Sequence, residues 1–509
     1  MEQELKLRIP PEHLGKLRRA PLLVHGRTEA NPSKLLTSTY FDTPDLALHG
    51  CGASLRVRAD GRRRIQTLKL AGVIDAGVFD RSEFEAPING DAPDLTLLHE
   101  AIPADTDCGK LIRDQAVAAC LAPVFVTRMN RTAIPIHLAS EDEIEVAVDE
   151  GTIEAQTGSV SLAAVELELK QGNRQALHAT ALELLKAAPL RIDHRSKADV
   201  GYELLVAEHA EAVKAKPVRL GKSASIEDAF CTILRNCLDQ VHANARGVVS
   251  GHDPSCVHQM RVGLRRLRSA LDLFAKVIPA YSGLDDELRW IAAELGAARD
   301  WEVLAGATLD HAGADSNEEE LGPIRRACTQ MAVANRKRAA TAVDSVRYTR
   351  LILEFTLWLE VKRWRDAMTD EQRAAIEGSA REFAVEVLHS RHRKLIKRGK
   401  KLADLDDHHR HRARIAAKKV RYATEFFQSL VSKRAVRHYV DALTDLQDDL
   451  GWRNDAVVAD KLLRVVSRKS TEADRGAAFV RGYLASRVAA DHRRLSQLWK
   501  RFERISPPH

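Results

Sequence analysis

The stretch of sequence that decides the fold of the first half of the chain is residues 2–9, EQELKLRI, in which charged and aliphatic side chains alternate. Residues i and i+2 of a β-strand share one face of the sheet. This segment therefore predicts a strand with its charges on one face and Leu5, Leu7 and Ile9 on the other. A face made of full charges is either solvated or turned toward a polar interior, and the remainder of the chain has to decide between these two arrangements.

The same alternation returns several times before residue 205. The charged positions that take part in it are Arg56 and Arg58, Lys69, Glu83 and Glu85, Glu145, and Glu166, Glu168 and Lys170. For any single strand, a half-solvated antiparallel sheet is the simpler interpretation. Acids and bases segregate by strand, however, and this favours a closed barrel with a polar interior and an outer aliphatic face covered by helices. Carboxylates suit hard divalent cations, and rows of arginine and lysine suit phosphate, so such an interior indicates a site for a metal-bound polyphosphate.

Short motifs in this half of the chain resemble one known family. Residues 2–6 form an ExExK signature, and further motifs follow it in order: 38–44 (STYFDTP), 55–58 (LRVR), 67–69 (TLK), 81–85 (RSEFE), 128–131 (RMNR), 145–149 (EVAVD), 166–169 (ELEL) and 196–198 (SKA). Together they resemble the CYTH family, the triphosphate tunnel metalloenzymes, over about residues 1–205. The resemblance implies an α+β domain, an eight-stranded antiparallel tunnel with flanking helices, that hydrolyses or cyclises triphosphates with Mg2+ or Mn2+.

The resemblance to the CYTH family also implies roles for individual residues. The implied metal ligands are Glu2, Glu4, Asp149, Glu166 and Glu168. The implied phosphate-binding residues are Arg56, Arg58, Lys69, Arg131 and Lys197, with Arg8 and Arg128 in support. The residues expected in catalysis are Glu2, Glu4, Lys6, Glu83 and Glu85. The last two of these share a strand face, and the sequence does not choose between them.

The second half of the chain has a helical period and repeats itself. From about residue 225, long segments rich in Ala, Leu, Arg and Glu replace the strands. The pattern His-x2-Arg-x3-Arg-Arg-x-Arg at residues 258–268 returns as His-x2-Arg-x3-Lys-Lys-x-Arg at 411–421, an offset of 153 residues. Leu-Gly-x3-Asp at residues 295–300 returns at 450–455, an offset of 155 residues. Two features in the same order at nearly one offset predict a duplicated helical unit.

Each copy of the first pattern places a histidine and several cations along one side of a helix, opposite an apolar side. An amphipathic helix with a wet basic face explains one such copy, but two copies without an intervening acid favour an anion site. The second copy carries lysines where the first has two arginines, which keeps the charge and loses the bidentate geometry for phosphate. Asp300 and Asp455, which end the two copies of the second motif, are expected to cap helices.

This helical half resembles the CHAD domain, an all-helical module built from two related halves, over roughly residues 222–505. The resemblance implies that inorganic polyphosphate binds along a basic channel. The implied polyphosphate-binding residues are His258, Arg261, Arg265, Arg266 and Arg268 in the first copy, and His411, Arg414, Lys418, Lys419 and Arg421 in the second.

Length and charge agree with this two-domain organisation. A chain of 509 residues exceeds one ordinary core, and we expect a tunnel domain at residues 1–206, a polar linker at 207–221 and an all-α domain with internal duplication at 222–505. Residues 1–218 carry 26 Lys and Arg against 32 Asp and Glu, and residues 219–509 carry 52 against 39. The resulting net charges of −6 and +13 indicate a polyanionic partner for the second half.

The cysteines and the hydropathy indicate the compartment. Seven cysteines form no CxxC pair, which predicts reduced thiols, and the acidic N-terminus is unlike a secretory signal. No apolar run approaches the roughly 18 residues that a membrane span needs. We therefore expect a cytoplasmic protein without a membrane partner, with polyphosphate granules as one place of association.

Together these features predict hydrolysis of inorganic triphosphate to diphosphate and phosphate by the first domain, and polyphosphate binding by the second. One alternative is an organic triphosphatase or adenylate cyclase, which would need a base-recognition pocket that the sequence does not clearly offer. Another is a non-catalytic protein that holds polyphosphate at granules. A nucleic-acid-binding protein is disfavoured, because aromatic residues, on which bases stack, make up only 5% of the chain. The sequence does not predict the oligomeric state.

Overall fold

The computed structural model describes residues 2–26, 32–61, 63–75, 78–206, 210–279, 283–313, 318–468 and 471–509. It divides the chain into two compact units, the first formed by residues 1–209 together with 344–361 and the second by residues 210–343 and 362–509. The first unit is built on an antiparallel sheet with flanking helices and the second on helices, so the predicted fold class is confirmed. Among the described residues, no helix combines the length and the apolar character needed to cross a bilayer.

In the described part of the chain, eleven strands form one sheet, and all their pairings are antiparallel. The strands are β1 (Glu2–Arg8), β2 (Lys34–Asp42), β3 (Ala53–Asp60), β4 (Arg63–Leu70), β5 (Val73–Asp75), β6 (Val78–Arg81), β7 (Glu83–Ile88), β8 (Ala122–His137), β9 (Glu143–Ala155), β10 (Gly158–Gln171) and β11 (Arg191–Ile192). Their order across the sheet is β5-β6-β1-β10-β9-β8-β2-β3-β4-β7, and β11 pairs separately with β1.

The sheet curls round on itself through residues 78–88. At one end β6 pairs with β1, at the other β7 pairs with β4, and Ser82 alone separates β6 from β7. The carbonyl of Ser82 accepts a hydrogen bond of 3.1 Å from the amide of Leu70, the last residue of β4. With β6 and β7 counted as one kinked strand, eight strands of the described chain surround the interior, as predicted. The short strands β5 and β11 are additions that the sequence did not indicate.

The helices of the described chain follow its division into units. In the first unit lie α1 (Leu14–Leu17), α2 (Pro21–Gly26), α3 (Ala47–Gly50), α4 (Asp107–Leu111), α5 (Gln115–Cys120), α6 (Gln175–Ala187) and α7 (Lys197–Leu205). In the second unit lie α8 (Ile226–Ser250), α9 (Pro254–Phe274), α10 (Leu284–Val303), α11 (Leu309–Gly313) and α12 (Glu318–Val343). Helix α13 (Val346–Glu360) belongs to the first unit again. The second unit is completed by α14 (Asp370–Ile376), α15 (Ala380–Gly399), α16 (Asp407–Phe427), α17 (Lys433–Ser467), α18 (Thr471–Ala490) and α19 (His492–Phe502).

The aliphatic positions of the strands form the outer face of the sheet. Leu5, Leu7, Val165 and Leu167 are all at most 1% exposed. Helix α6 packs on β1 and β10, and α13 packs on α6 and β11. The alternation in the sequence thus produces an apolar outer face under helices, and it leaves the charged positions of the same strands to face inward.

Residues 344–361 come from the middle of the helical half of the sequence, yet they complete the first unit. Asp344 forms an ion pair with Arg8 of β1, and the hydroxyl of Thr349 accepts a hydrogen bond of 3.1 Å from the amide of Ile192 in β11. The chain therefore passes between the units three times, at 209–210, 343–344 and 361–362. No sequence pattern indicated this excursion.

The predicted duplication appears in the second unit as matching helices. Helices α9 and α16 each contain 21 residues, and their first residues are 153 positions apart. Each begins after an aspartate whose carboxylate accepts a hydrogen bond from a backbone amide of the first turn, Asp253 in α9 and Asp406 in α16. The repeat therefore includes the N-terminal cap as well as the cations that revealed it.

Candidate functional site

The interior of the curled sheet contains a cavity of 620 Å³. Its described lining includes eight cationic side chains (Lys6, Arg56, Arg58, Lys69, Arg81, Arg131, Lys170 and Lys197) and six acidic ones (Glu4, Glu83, Glu85, Glu145, Glu166 and Glu168). Charged groups withdrawn from water are costly unless opposite charges compensate them, so their arrangement within the cavity decides what it can bind.

Three carboxylates stand side by side on β1, β10 and β9. Glu4 is paired with Glu168 in the register between β1 and β10, and Glu168 is paired with Glu145 between β10 and β9. Side chains that face each other across strands are about 5 Å apart at Cβ, and like charges at that distance repel. Lys6 lies 2.8 Å from Glu4, and Lys170 lies 2.7 Å from Glu168. Burial alone would lower the pKa of Lys6, but the neighbouring carboxylates outweigh burial and raise it.

We call Glu4, Glu168 and Glu145 the acidic row. Carboxylate oxygens are the donors that Mg2+ and Mn2+ prefer, so the row fits a hard divalent cation in its chemistry. Within the described residues, no three Asp, Glu, His or Cys side chains are gathered closely enough to hold a metal ion. The lysines, which now neutralise the row, would have to give up these carboxylates to a bound cation.

Two further acids hold cations in place at the cavity wall. Asp149 is fully buried and binds Arg131 through two hydrogen bonds of 2.8 and 2.6 Å, and Lys197 lies 2.8 Å from the same carboxylate. Glu166 contacts both Arg131 and Lys197. Burial would raise the pKa values of Asp149 and Glu166, but Lys197 and Arg131 outweigh burial and lower both. These two carboxylates therefore stay ionised and orient the two cations.

The opposite wall, on β3, β4 and β7, is richer in cations than in acids. Glu83 lies 2.9 Å from Lys69 and 3.5 Å from Arg56. Burial and the neighbouring guanidinium groups of Arg56 and Arg131 lower the pKa of Arg58. The Nε atoms of Arg56 and Arg58 are buried and have no hydrogen-bond partner among the described residues. This wall thus carries positive charge and free donors, which an anion would satisfy.

An aromatic stack supports the cavity from behind. Tyr40 faces Arg56 in the register between β2 and β3, and its ring stacks on Phe125 at 4.4 Å. A Cβ atom at Gly201 of α7 would lie 2.2 Å from the ring of Phe125, so glycine permits the close approach of this helix. Since α7 begins at Lys197, this contact helps to set the position of a cation at the cavity wall.

The structure brings most of the predicted residues of this site together. Those that line the cavity are Glu4, Lys6, Arg56, Arg58, Lys69, Glu83, Glu85, Arg131, Glu166, Glu168 and Lys197. Asp149 lies behind the lining and contacts two of its cations. Arg8 and Arg128 are not among the lining residues, because Arg8 pairs with Asp344 and Arg128 is exposed beside Glu154. The side chain of Glu2 lies outside the described part of the chain.

Both candidates left open on β7 line the cavity, but in different surroundings. Glu83 contacts Lys69 and Arg56, whereas Glu85 accepts a hydrogen bond of 3.0 Å from the hydroxyl of Thr67. Glu83 thus forms direct ion pairs, whereas Glu85 lies near Arg58 without one, and the structure does not choose between the two.

Several lining residues were not predicted as part of the site. Glu145 and Arg81 stand within recognised motifs but received no role, and Lys170 continues the alternation of β10. The alternation had already placed Glu145 and Lys170 on the charged face, and Arg81 is two residues before Glu83 on the same stretch of chain. Tyr40 gave no such signal, since a tyrosine in a strand is more often part of an apolar core.

A second cluster of charge lies in the second unit, where α9 packs against α10 and α16. Its members, each among the electrostatic neighbours of another, are His258, Arg261, Arg265, Arg299, Arg414 and Lys418, and we call them the cationic cluster. Burial and the charges of Arg265 and Arg414 lower the pKa of Lys418 to about 6. Burial and nearby arginines lower the pKa of His258 to about 4. Positive charge is thus crowded here beyond what its acidic neighbours compensate.

The repeat supplies two of the acids beside this cluster, and Glu302 lies near Arg299 as well. Asp300 lies 2.9 Å from Arg261, and Asp455, its counterpart in the second copy, lies 3.9 Å from Arg414. The expectation that these aspartates cap helices is wrong, because both lie inside helices, α10 and α17, which continue past the Leu-Gly pair. Arg299, directly before Asp300, was missed, since the motif does not include its position.

Some predicted polyphosphate-binding residues lie elsewhere in the helical unit. Arg266 is 4% exposed, and its guanidinium group donates to Gln240 at 3.0 Å and to Asn236 at 2.8 Å, which makes it part of the interior between α8 and α9. Lys419 binds Asp272 at 2.9 Å. These two cations are therefore already engaged by residues of their own unit.

Three more of these residues lie outside the cationic cluster. His411 is exposed, and its Nδ1 is 2.9 Å from the amide oxygen of Asn454. Arg421 donates to Glu425 at 2.8 Å. Arg268 is exposed. The two copies of the repeat are therefore unequal, because the first contributes its histidine and two arginines to the cluster and the second contributes Arg414 and Lys418.

Comparison with known families agrees with both halves of this description. The family model of the CYTH domain matches residues 1–202, and that of the CHAD domain matches residues 232–464. The chain is a CYTH–CHAD protein. The family models leave out residues 203–231 and 465–509, and the domain bounds expected from the sequence remain a prediction.

Three relatives resemble different parts of this CYTH–CHAD protein. The inorganic triphosphatase of Haemophilus influenzae is 30% identical over 204 residues, which are 40% of this chain and 54% of that protein. The chain thus matches about half the length of that relative. An uncharacterized protein of Mycobacterium tuberculosis is 28% identical over 435 residues, 78% of this chain and 76% of that protein. The crystal structure of the CHAD domain from the plant Ricinus communis is 36% identical, with a TM-score of 0.54, over 59% of this chain and 99% of that one.

Proposed function

We propose that the CYTH domain hydrolyses inorganic triphosphate to diphosphate and phosphate with Mg2+ or Mn2+, and that the CHAD domain binds inorganic polyphosphate. The observation that carries the first part is the cavity, in which the acidic row faces the same interior as eight cations. A cation bound to triphosphate presents both kinds of partner that this cavity needs, a positive ion for the carboxylates and anionic oxygens for the arginines and lysines.

Binding of such a substrate would proceed by exchange of partners. Glu4 and Glu168 now bind Lys6 and Lys170, and Glu83 binds Lys69. Once the carboxylates hold a cation, these lysines become free to donate to phosphate oxygens. The buried charges therefore remain compensated in both states, which lowers the cost of keeping them inside the sheet.

The residues of the cavity would divide the work of the reaction. Glu4, Glu168 and Glu145 would hold the divalent cation, with Glu166 beside them. Phosphate oxygens would be held by Arg131 and Lys197, which Asp149 orients, and by the cations on β3 and β4. The same cations would stabilise the negative charge that these oxygens gain as the terminal phosphate is transferred to water. The cation itself, when bound, neutralises phosphate charge and acidifies a water for attack on phosphorus.

The lining favours an inorganic substrate over a nucleotide. Among the described lining residues, the aromatic rings belong to Tyr40 and Phe84, and the ring of Tyr40 is already stacked on Phe125. A base or a thiamine ring would thus find no pair of rings to lie between. The relative from Haemophilus influenzae that matches this domain carries the name inorganic triphosphatase, which supports the same choice.

The decisive experiment is a phosphate-release assay on the full chain with triphosphate, ATP and thiamine triphosphate, each with Mg2+ and with Mn2+. We expect release from triphosphate to exceed release from the two organic substrates, and to stop when EDTA removes the metal. Preference for an organic substrate would indicate an organic triphosphatase. The absence of phosphate release from all three would instead favour a protein that only binds polyphosphate.

The cationic cluster carries the second part of the proposal. It joins residues of three helices, and burial together with its neighbouring charges lowers the pKa values of His258, Arg299, Arg414 and Lys418. The Nε atoms of Arg265 and Arg414 have no partner among the described residues. A polyphosphate chain would supply the missing negative charge along its length. Competition between polyphosphate and single-stranded RNA at one stated salt concentration tests this, and we expect polyphosphate to displace RNA. Such binding would also permit association with polyphosphate granules in the cytoplasm.

A further inference from the structure

A second group of cations lies in the helical unit, on the pair of helices α15 and α16. Residues 391–401, which include the last turns of α15, contain seven Lys and Arg side chains and no Asp or Glu. Positive charge near the C-terminus of a helix interacts favourably with the helix dipole, but this effect is limited to about the last turn. It therefore does not explain Arg391 and Lys394, which lie more than one turn before the end of α15 at Gly399.

Helix geometry arranges these cations in two stripes. Arg391, Lys394 and Arg398 follow one another at offsets of three and seven residues, so they fall within an arc of about 60° on α15. Arg412 and Lys419, seven residues apart, share one side of α16 in the same way. Helices α15 and α16 pack against each other. We call these five cations the basic surface.

Contacts at both ends hold the two stripes side by side. At one end, the carboxylate of Asp272, in the last turn of α9, lies 2.9 Å from Arg391 and 2.9 Å from Lys419. At the other end, the guanidinium group of Arg398 donates to the backbone carbonyl of Arg412 at 3.5 Å. The stripes therefore run antiparallel, and the basic surface is formed by both helices together.

The basic surface carries more positive charge than acids compensate. Among the described residues, Asp272 is the one acid that forms ion pairs with the five cations, and it is shared by Arg391 and Lys419. Lys394 and Arg412 are exposed. An accessible surface with excess charge of one sign attracts a ligand of the opposite sign, in this case a polyanion.

The basic surface is separate from the cationic cluster but close to it. Lys418 of the cluster and Lys419 are neighbours in sequence and therefore point about 100° apart around α16. Asp272 follows Arg265 of the cluster by seven residues, which is about 10 Å along α9. A polyanion longer than this distance can thus reach both groups of cations.

We propose that the basic surface is a second polyphosphate site, which holds the part of a long chain that extends beyond the cationic cluster. This inference rests on the proposed binding of polyphosphate by the CHAD domain. Single-stranded RNA fits less well, because bases stack on aromatic rings and the stripe on α16 instead has Ile415, 37% exposed, between Arg412 and Lys419. A chain that engages both sites binds more tightly than one that engages a single site.

The test is calorimetry on the full chain with two probes, tetraphosphate and a long polyphosphate, in EDTA and at one stated salt concentration. The double variant Lys394→Glu with Arg398→Glu should weaken binding of the long chain by about tenfold or more, because the chain loses its second site. Binding of tetraphosphate, which is too short to engage both groups, should change by less than about twofold. The matched control is Arg434→Glu with Arg437→Glu, which reverses two exposed arginines of α17 and should leave both affinities unchanged.

Asp272→Asn tests the opposite direction. It removes the acid that Arg391 and Lys419 share, so the long chain should bind more tightly than to wild type, while tetraphosphate should bind as before. Circular dichroism of each variant shows whether the fold is retained. An opposite effect of the two charge changes on long chains alone is a result that loss of structure does not produce.

Several results would overturn the proposal. Unchanged binding of the long chain by the Lys394 and Arg398 double variant, together with weaker binding by Arg265→Glu, would restrict polyphosphate to the cationic cluster and leave the proposed function standing. Equal losses in the α17 control would reduce the effect to net charge. Weaker binding of single-stranded RNA to the same extent would make the surface a general polyanion site. Wild type that binds no polyphosphate would overturn the proposed function of the CHAD domain and this inference with it.

Discussion

Single side chains in the CYTH cavity are held by partners that a substrate would replace. Glu4 is 6% exposed and lies 2.8 Å from Lys6, and Glu83 is 2.9 Å from Lys69. A carboxylate and an ammonium group that are both withdrawn from water depend on each other. We therefore expect substitution of a carboxylate to lower kcat and substitution of an arginine to raise KM.

Glu4→Gln should remove a metal-binding oxygen and keep the size of the side chain. We expect kcat for triphosphate to fall by about 100-fold or more, since even outer-shell residues of metal sites cost about 10- to 100-fold. The fold should survive, because Lys6 still lies 3.8 Å from Glu166. The measurement is phosphate release across a range of Mg2+ concentrations, with circular dichroism of the same sample. An unchanged rate would show that Glu4 holds no metal.

Arg58→Ala should mainly weaken capture of triphosphate, because Arg58 carries positive charge that its neighbours do not compensate. A charge-assisted hydrogen bond contributes about 1.5–3 kcal/mol, so KM should rise by about 10- to 100-fold while kcat changes less. Arg64→Ala on the adjacent strand removes an arginine that pairs with Asp91, and it should leave KM unchanged. A loss confined to kcat would place Arg58 in the reaction step and not in binding.

Lys418 predicts a pH dependence of polyphosphate binding. Its pKa of about 6 means that the amine is neutral at pH 8 in the free protein and must take up a proton when a polyanion binds. Affinity should thus fall as pH rises from 6 to 8, by up to about tenfold per pH unit for one coupled proton. Calorimetry in buffers of different ionisation enthalpy measures the proton uptake directly.

The matched variants for this pH dependence are Lys418→Arg and Lys419→Arg. The first keeps a permanent charge in the cationic cluster, so proton uptake at pH 7–8 should disappear. The second changes a residue that binds Asp272, and it should leave the uptake intact. Equal proton uptake in wild type and Lys418→Arg would assign the titration to another group.

At the scale of elements, the strand register decides which charges meet. The pairing of β1 with β10 and of β10 with β9 aligns three glutamates in one row, and a shift of one residue would turn all of them to the outer face. The outer face is fixed in turn by helices, among them α13, which reaches the sheet from a distant part of the sequence. Register and helix packing therefore depend on each other.

Thr349→Val tests how much the first unit depends on α13. The substitution keeps the shape of a buried residue but leaves the amide of Ile192 without its acceptor, at a cost of about 1–3 kcal/mol. Hydrogen exchange should become faster in β11 and β1, although residue 349 belongs to the helical half of the sequence. Thr424→Val is the control, because the hydroxyl of Thr424 bonds to a carbonyl within its own helix. Faster exchange limited to residues 210–343 and 362–509 would contradict the assignment of α13 to the first unit.

At the scale of the whole molecule, the chain contains two clusters of charged side chains, the CYTH cavity and the cationic cluster, which differ in their proportion of acids to bases. The lining of the CYTH cavity combines eight cations with six acids, whereas in the cationic cluster of the CHAD domain the cations crowd one another with few acids between them. The first suits a substrate that brings its own cation, and the second suits a long polyanion whose counterions are released on binding. The two functions should therefore be separable by mutation.

A pair of variants in the full chain tests this separation. Arg265→Glu should weaken polyphosphate binding by more than about tenfold, because it reverses a charge within the cluster, and should leave triphosphate hydrolysis within about twofold of wild type. Glu4→Gln should do the reverse. The measurements are polyphosphate binding by calorimetry and phosphate release on the same preparations. Loss of both activities in either variant would show that the two domains do not act separately.

Sequence alone determined the fold class, an antiparallel sheet with flanking helices followed by a helical unit, because the residue-to-residue periods of strands and helices are local features of a sequence. Alternation in β1 and β10 assigned charges and aliphatic residues to opposite faces. The offset of 153 residues between two basic patterns identified the duplication, which the structure shows as equal helices α9 and α16. Most of the candidate site followed from the same alternation, since inward-facing residues of a closed sheet share one cavity.

Only the tertiary structure decided which charged side chains form ion pairs or lie in one cluster. The acidic row depends on the register of three strands, Arg299 joins the cationic cluster through the packing of α10, and Arg8 is drawn to Asp344, more than 300 positions away. Such contacts link residues that no local period relates. They are set by how elements pack and pair, because the burial of charge is favourable only where a partner is already in place.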